Sequence, residues 1–494
     1  MTGALARAPW TLLRRVPREA WLCALVAFLN ATCWSFITPP FQVPDEPDHY
    51  AYVEQLALTG TPPSSEVSGT YASDEARALQ DIGTYRVRLQ PEDRAIFTNV
   101  EERQIEADFT LTKNAPVQAT GAAGVATAEP PLYYALELIP YELGESGTVL
   151  DRLELMRLLS AAMAGLTALF VFLFIREALP GVRWAWTVGG FAVAITPMLG
   201  FMSGAVTPEA MLYAVAAAAF LCLARAFRCG LTPKRAALIG VVIAVGLLTK
   251  LNFVGLIPGM ALGLTVLVRR LRGPSRTRIY RAVGIAAAIL AGCVVAVLLT
   301  GVVSHSAFGS PEATVRGITK HGSLLGRASY IWQFYLPRLP GMPNDFPGIF
   351  TTRQIWFNGL VGLYGWLDTV FPNWVYAAAL LPALALALLC LRTLFTRRAA
   401  LRSRAAEICT YALMSAGLLI LVGSASYTGF PQIAGGYAES RYLLPLLALM
   451  GAALALAARG AGRRWGPAVG VSMLMLFLAH DIFSQLQVIA RYYG

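Results

Sequence analysis

Residues 20–60 read AWLCALVAFLNATCWSFITPPFQVPDEPDHYAYVEQLALTG, and the change of character partway along decides the fold. Residues 20–38 carry no Asp, Glu, Lys or Arg. At about 1.5 Å of rise per residue such a run crosses a hydrocarbon layer about 30 Å thick as a helix. Pro39, Pro40 and Pro44 then stop it, and ionisable groups follow at once: Asp45, Glu46, Asp48 and His49, beside Tyr50 and Tyr52. Groups of this kind are costly to hold near a bilayer, and a membrane chain that concentrates them uses them as a rule for binding or chemistry.

The remainder of the chain repeats the first half of that stretch. Its 494 residues are 56% hydrophobic and 14% charged, with mean hydropathy +0.55, far more apolar than a soluble domain. Apolar runs lie near 20–38, 153–175, 184–203, 208–228, 235–251, 253–269, 281–303, 372–394, 405–426, 441–459 and 465–487. The pattern predicts an all-α polytopic membrane protein with about 11 transmembrane helices, since helices satisfy every backbone group within lipid.

Lys and Arg are retained on the cytoplasmic side. A cytoplasmic N-terminus places Arg7, Arg14, Arg15 and Arg18 inside and makes every second connection basic, so that 24 of the 40 basic residues fall inside. An odd span count then leaves the C-terminus outside. The net charge of +11 is thereby a product of topology, with some attraction to anionic lipid head groups. The inner loops lack the interleaved aromatics of a nucleic-acid surface, so no such partner is expected. The seven cysteines lie in or beside spans and form neither a disulfide framework nor a zinc spacing. Arg14, Arg15 and Arg18 before the first apolar run suggest a signal peptide, but TPPFQVPDEP has no small-residue cleavage site, and a retained signal-anchor helix is expected.

The chain divides into the N-terminus and first span (1–38), an outer segment with juxtamembrane helices (39–151), spans 2–7 (152–303), a second, aromatic-rich outer segment (304–371), and spans 8–11 (372–494). The first outer segment holds 19 of the 29 acidic residues, which marks a water-facing surface. Asp45 to Leu58 reads as a short amphipathic helix that Gly60 closes, with Asp45 and His49 on one face. Tyr50, Val53, Leu56 and Leu58 can rest on the bilayer or on neighbouring spans. Residues 61–128 read as a partly ordered insertion ending in AEPPLYYALELIPYELG, where Glu129 and Tyr133 flank a proline pair. The stretch TRQIWFNGLVGLYGWLDTVFPNW carries Arg353 and reads either as an interfacial aromatic belt or as the wall of a lipid or sugar site.

An acidic pair on an outer juxtamembrane helix (PDEPDHYAYVEQLALTG), then PPLYY leading into an arginine-containing second span (RLELMRLLSAAMAGLTALFVFLF), resembles the GT-C superfamily of polytopic glycosyltransferases. SGAVTPEAM, LLTKLNF, GLYGWLDTVFP and ESRYLLPLLAL are similar more particularly to a family of predicted bacterial membrane proteins grouped with it. The resemblance implies a polyprenyl-phosphate-linked sugar as donor, a glycan or lipid acceptor, and a carboxylate of the first outer loop as general base or metal holder. That role falls on Asp45, with Glu46 second. Some members carry a basic residue before the PP element to meet the lipid phosphate; this chain has Glu129 there.

Transfer to a hydroxyl needs a base for the acceptor proton, a cation for the departing phosphate and a pocket that excludes water. Asp45 is the candidate base. Arg441, Lys250, Arg353 and a protonated His49 are candidate cations, and Asp48, Tyr50, Glu129 and Tyr133 candidate substrate contacts. A divalent metal on Asp45, Glu46 and Asp48 is conceivable. Each residue also has a plain reading: Asp45 and Glu209 as helix caps, Lys250 and Arg441 as snorkelling anchors. The expected function is an inverting glycosyltransferase on the outer face of a bacterial plasma membrane, building a cell-envelope glycan or lipid-linked intermediate. A lipid or glycan flippase and a non-catalytic envelope scaffold are the alternatives.

Overall fold

The computed structural model of the chain describes residues 16–63, 71–113, 117, 120–271, 275–303, 324–346, 353–429 and 439–494. Among the described residues the architecture is almost wholly helical. In order come α1 (Arg18–Ile37), α2 (Glu46–Thr59), α3 (Ser73–Asp81), α4 (Asn99–Thr112), α5 (Leu132–Leu143), α6 (Val149–Ala178), α7 (Arg183–Ala194), α8 (Pro197–Ser203) and α9 (Pro208–Cys229). Then follow α10 (Pro233–Thr249), α11 (Leu251–Arg269, opening in a 3-10 turn), α12 (Ser275–Val303) and α13 (Leu324–Tyr335). The last are α14 (Asn373–Thr396), α15 (Ala405–Gly429), α16 (Leu447–Gly460, entered through a 3-10 turn at Ser440–Leu446) and α17 (Gly462–Tyr493).

Each of the eleven apolar runs forms helix, in keeping with about 11 spans, although an exact count of eleven is not fixed by helix length and composition. Nine helices among the described residues are long and apolar enough to cross a membrane. A tenth arises if α7 and α8, bent by 51° at their junction, form one span. Pro197 explains the break, because it brings no N–H to the helix ladder and its ring crowds the preceding turn. The remaining run, α10, is a helix of 17 residues, at the short end of the range for a crossing. Lys250 follows it in extended conformation (φ −160°, ψ 138°) and turns the chain back into α11.

The centre of the bundle is α6, which packs against α1, α9 and α7. Its start is set by a reciprocal cap between Thr148 and Asp151. Buried within it lies Arg157, fully enclosed and paired with the equally enclosed Glu46 at 2.7 Å. A guanidinium has five N–H donors, and all are used. Nε and one N–H of Nη2 go to Glu46, both N–H of Nη1 to the carbonyls of Ser35 and Thr38, and the second of Nη2 to that of Pro39. Those carbonyls are the ones the end of α1 and its prolines leave without helical partners. Glu46 accepts two further bonds, from the backbone N–H of Phe41 (2.9 Å) and Val206 (3.1 Å). One ion pair thus joins the end of α1, the start of α2, α6 and the turn before α9.

The outer segments pack onto this frame. Asp48 accepts from the Tyr71 hydroxyl at 2.7 Å and the Val125 N–H at 3.2 Å. Gly124, at φ 46°, lies so close that a Cβ there would overlap the Asp48 carboxylate. In the aromatic segment a hairpin pairs β1 (Leu363–Tyr364) with β2 (Thr369–Val370). Tyr364 packs on Trp34 and Phe201, the Trp366 N–H reaches the Phe41 carbonyl, and Arg88 covers the Trp366 ring. Trp356 is enclosed with Phe334 and Tyr335, whereas Trp374 is 67% exposed. Trp356, Tyr364 and Phe371 are thus packed inside the protein, while Phe357 and Trp366 are half-buried. Arg491 closes the arrangement, donating to the Val87, Gln90 and Asp93 carbonyls and to Asp368.

Arg157→Met is expected to lower stability by about 3–5 kcal/mol, because Glu46 is left charged and enclosed; Arg157→Met/Glu46→Met should recover part of it. Thermal unfolding in detergent reads both, and an unchanged midpoint in the single variant would refute the account. A second expectation concerns Glu137 of α5, which is fully buried and accepts from Ser160 at 3.0 Å. Burial raises its carboxyl from 4.5 to about 8. The folded state then holds a proton that the unfolded state releases, so this group's stabilisation falls as pH rises from about 4.5 to about 8. Glu137→Gln should flatten that part of the pH–stability curve.

Candidate active site

Asp45 sits just outside α2, in the N-cap position, with left-handed backbone (φ 67°, ψ 3°). This corrects the expectation that it lies within the helix, although its carbonyl still receives the His49 N–H at 3.1 Å. Its side chain does not cap α2. Instead it meets Arg441 Nη2 at 2.9 Å and remains part-exposed, at 29%. A non-glycine residue with positive φ costs of the order of 1 kcal/mol or more, and Asp and Asn tolerate it best. The prolines before it and the anchored Glu46 after it hold the backbone there.

Around this carboxylate the structure gathers charges far apart in sequence. Arg441, enclosed at the entry to α16, also pairs with Glu439. Lys250, enclosed at the turn between α10 and α11, bonds Glu129 at 2.6 Å and Glu209 at 3.1 Å. Glu209 takes the Thr207 hydroxyl as well, and so serves this cluster and not as the cap of α9. His49 is 3% exposed and shares a 2.9 Å hydrogen bond with Tyr134, whose ring stacks on Tyr52 at 3.7 Å. Burial holds the His49 imidazole down to about 4; Lys250 and Arg441 push the same way, against Glu209 and Asp45. His49 is therefore neutral at pH 7 and offers no cation.

Other candidates stand elsewhere. Both Glu46 oxygens are saturated by Arg157 and two backbone amides. Asp48 is occupied in holding Tyr71 and Val125; burial raises its carboxyl, with those two bonds opposing. Tyr50 is enclosed between Phe41 and Tyr141, and the Tyr133 hydroxyl meets Ser160 at 2.8 Å. Arg353 is exposed at the start of the turn Arg353–Asn358, with no ion pair to a described residue. The three carboxylates considered for a divalent metal thus face three different partners. Among the described residues no group of three His, Cys, Asp or Glu side chains is arranged to hold a metal ion.

Three members of the arrangement escaped the sequence reading. Glu209 looked like a helix cap because Thr207 and Pro208 precede it; its tie to Lys250 spans 41 positions. Glu439 stands two residues before Arg441, and that spacing was its available signal. Tyr134 lies beside Tyr133 in PPLYY, and only the helical rotation of α5 decides which ring turns toward His49. A small crevice of about 10 Å³, lined by Pro44, Leu363, Gly365, Leu367, Glu439 and Arg441, lies on the Arg441 side of the pair. The hairpin of the aromatic segment forms one side of it.

Chemically, the arrangement offers three part-exposed carboxylates, of which Asp45 is the most open at 29%, two enclosed cations each shared between two carboxylates, and a neutral imidazole. No curated protein matches this chain. Over 96% of its length it is similar to the AglB oligosaccharyltransferase of Archaeoglobus fulgidus in complex with an inhibitory peptide and a dolichol-phosphate, at 12% identity and a TM-score of 0.44. The oligosaccharyltransferase of the same organism in complex with Zn and sulfate is similar at 13% identity and a TM-score of 0.44. The chain spans 56% and 53% of those two chains, little more than half their length. Likeness of that degree carries no argument about reaction or substrate. Family membership rests on the sequence: the profile of the predicted membrane proteins DUF2142 spans residues 28–450, and the chain belongs to that family.

Proposed function

We propose that the protein is a membrane glycosyltransferase of GT-C type that moves a sugar, with inversion, from a polyprenyl-phosphate donor to a hydroxyl of a cell-envelope glycan or lipid-linked acceptor. The proposed setting is the outer face of a bacterial plasma membrane, with the N-terminus in the cytoplasm. The observation that carries the reading is the Asp45 carboxylate: strained in backbone, free of capping duty, part-exposed and 2.9 Å from an enclosed guanidinium. A residue held so at an energetic cost is a candidate for chemistry.

In the proposed reaction the acceptor oxygen attacks the anomeric carbon, the bond from that carbon to the phosphate oxygen breaks, and the acceptor proton passes to Asp45. Arg441 is bound to Asp45 and Glu439 beforehand. A donor phosphate that takes over its N–H groups releases Asp45 to act as base and receives the charge that develops on departure. Lys250 stays between Glu129 and Glu209 and offsets part of their negative charge. Glu129, where the resembling superfamily carries a cation, is in this reading the holder of Lys250. No step is assigned to a metal, since the three nearby carboxylates do not converge.

Asn shares with Asp its tolerance of left-handed backbone, so Asp45→Asn removes the base and keeps the turn. With labelled polyprenyl-phosphate sugars and candidate acceptors, transfer should fall about 100-fold or more, in the range that a general base contributes. Near wild-type turnover would remove Asp45 from the role, and movement of intact lipid across the bilayer without transfer would favour the flippase. Arg441→Lys keeps the charge but loses the planar fork. It should raise the KM for the donor about tenfold or more with unfolding unchanged, and an unaltered KM would show that the phosphate binds elsewhere.

A further inference from the structure

The basic connections meet in space as well as alternating along the sequence. At the end of the bundle where α1 and α7 begin and α6 and α9 finish, they line a cavity of about 730 Å³. Its walls carry Arg18, Arg176, Arg183, Arg225 and Arg228 against Glu19 and Glu177, a formal excess of three positive charges from five cations and two acids. Glu177 is almost enclosed and orders part of the set, meeting Arg228 at 2.8 Å and Arg176 at 3.6 Å. Arg183 and Arg225 are exposed and pair with no described residue, so their N–H groups are available to a ligand. Phe172 and Trp186, packed edge to face, supply an apolar wall.

Positive charge at helix ends is the ordinary mark of membrane topology, but it requires neither a shared cavity nor an enclosed acid to orient it. The surroundings also fit a ligand with a tail. Arg18 and Leu22 are four apart on α1 and share a face; Leu22, Leu25 and Leu29 continue down it, each about half exposed. An apolar chain can lie along that face while its polar end sits in the cavity.

We propose that this cavity binds the head group of an anionic phospholipid carrying two or more negative charges, with the acyl chains along the exposed leucines of α1. Guanidinium groups suit phosphate because their planar fork matches two oxygens, and basic pockets between spans are sites at which such head groups bind. The proposal does not depend on the reaction assigned to Asp45.

The test uses the full chain, stripped of lipid in detergent and offered cardiolipin and phosphatidylcholine in equal amounts, with retained lipid counted by native mass spectrometry. Preferential retention of cardiolipin is expected. Arg183→Ala/Arg225→Ala should reduce it about thirtyfold, with unfolding unchanged because both side chains are exposed. Arg398→Ala/Arg402→Ala removes two arginines from the exposed helix Arg398–Ser403, outside the cavity, and should leave retention as it is. Equal loss in both double variants, or no loss in the first, overturns the proposal. Inorganic pyrophosphate separates the sources of phosphate: failure to displace the lipid at matched concentration supports a head group, and full displacement overturns the lipid assignment.

Discussion

The enclosed pair of Glu46 and Arg157 is the interaction on which the rest of this structure depends. Its weight comes from satisfaction more than from charge. Two ions removed from water are favourable only when every remaining donor and acceptor finds a partner, and here five N–H groups and both carboxylate oxygens do. The pair fixes where α1 stops, how the proline-rich turn runs and where α2 begins. Asp45 inherits its position from that arrangement: its neighbour is immobilised, and its own carboxylate is turned the other way.

Charge sharing is the second theme. Asp45, Glu129, Glu209 and Glu439 meet only Lys250 and Arg441. Each cation is held by two acids, so neither stands idle with an unsatisfied charge before a ligand arrives. In the proposed reaction an anionic ligand replaces a carboxylate, and the one released is then free to accept a proton. His49 stays neutral beside them because burial outweighs the attraction of Glu209 and Asp45.

Much of the fold was legible because lipid imposes a simple grammar. Apolar runs of sufficient length become helices, and charge alternation along the connections follows the same logic. The span count is least determined where that grammar is weakest: Pro197 bends a run that reads as continuous, and α10 sits at the short end of the crossing range. In the site, Asp45, Lys250 and Arg441 stood out locally, as charges at the ends of apolar runs. The resemblance puts Glu46 second to Asp45, yet the left-handed backbone of Asp45 itself sends the two adjacent side chains to opposite partners. Nothing within a few residues of Glu46 announces Arg157, although an arginine inside an apolar helix is itself a signal that a buried partner exists. Glu209 was hidden for the opposite reason: its local surroundings offered a sufficient explanation, and its partner Lys250 lies in the turn between α10 and α11.

The order in which these partners occur along the chain has a consequence for biogenesis. Chains are made from the N-terminus and their parts assemble as they emerge. Glu46 acquires Arg157 as soon as the second span has been inserted, so the first hairpin of the membrane domain locks early. Asp45 waits for Arg441, 396 residues further on. A partly synthesised chain is therefore already anchored at its structural pair while Asp45 has no partner, and the Asp45–Arg441 pair forms only once Arg441 has been made.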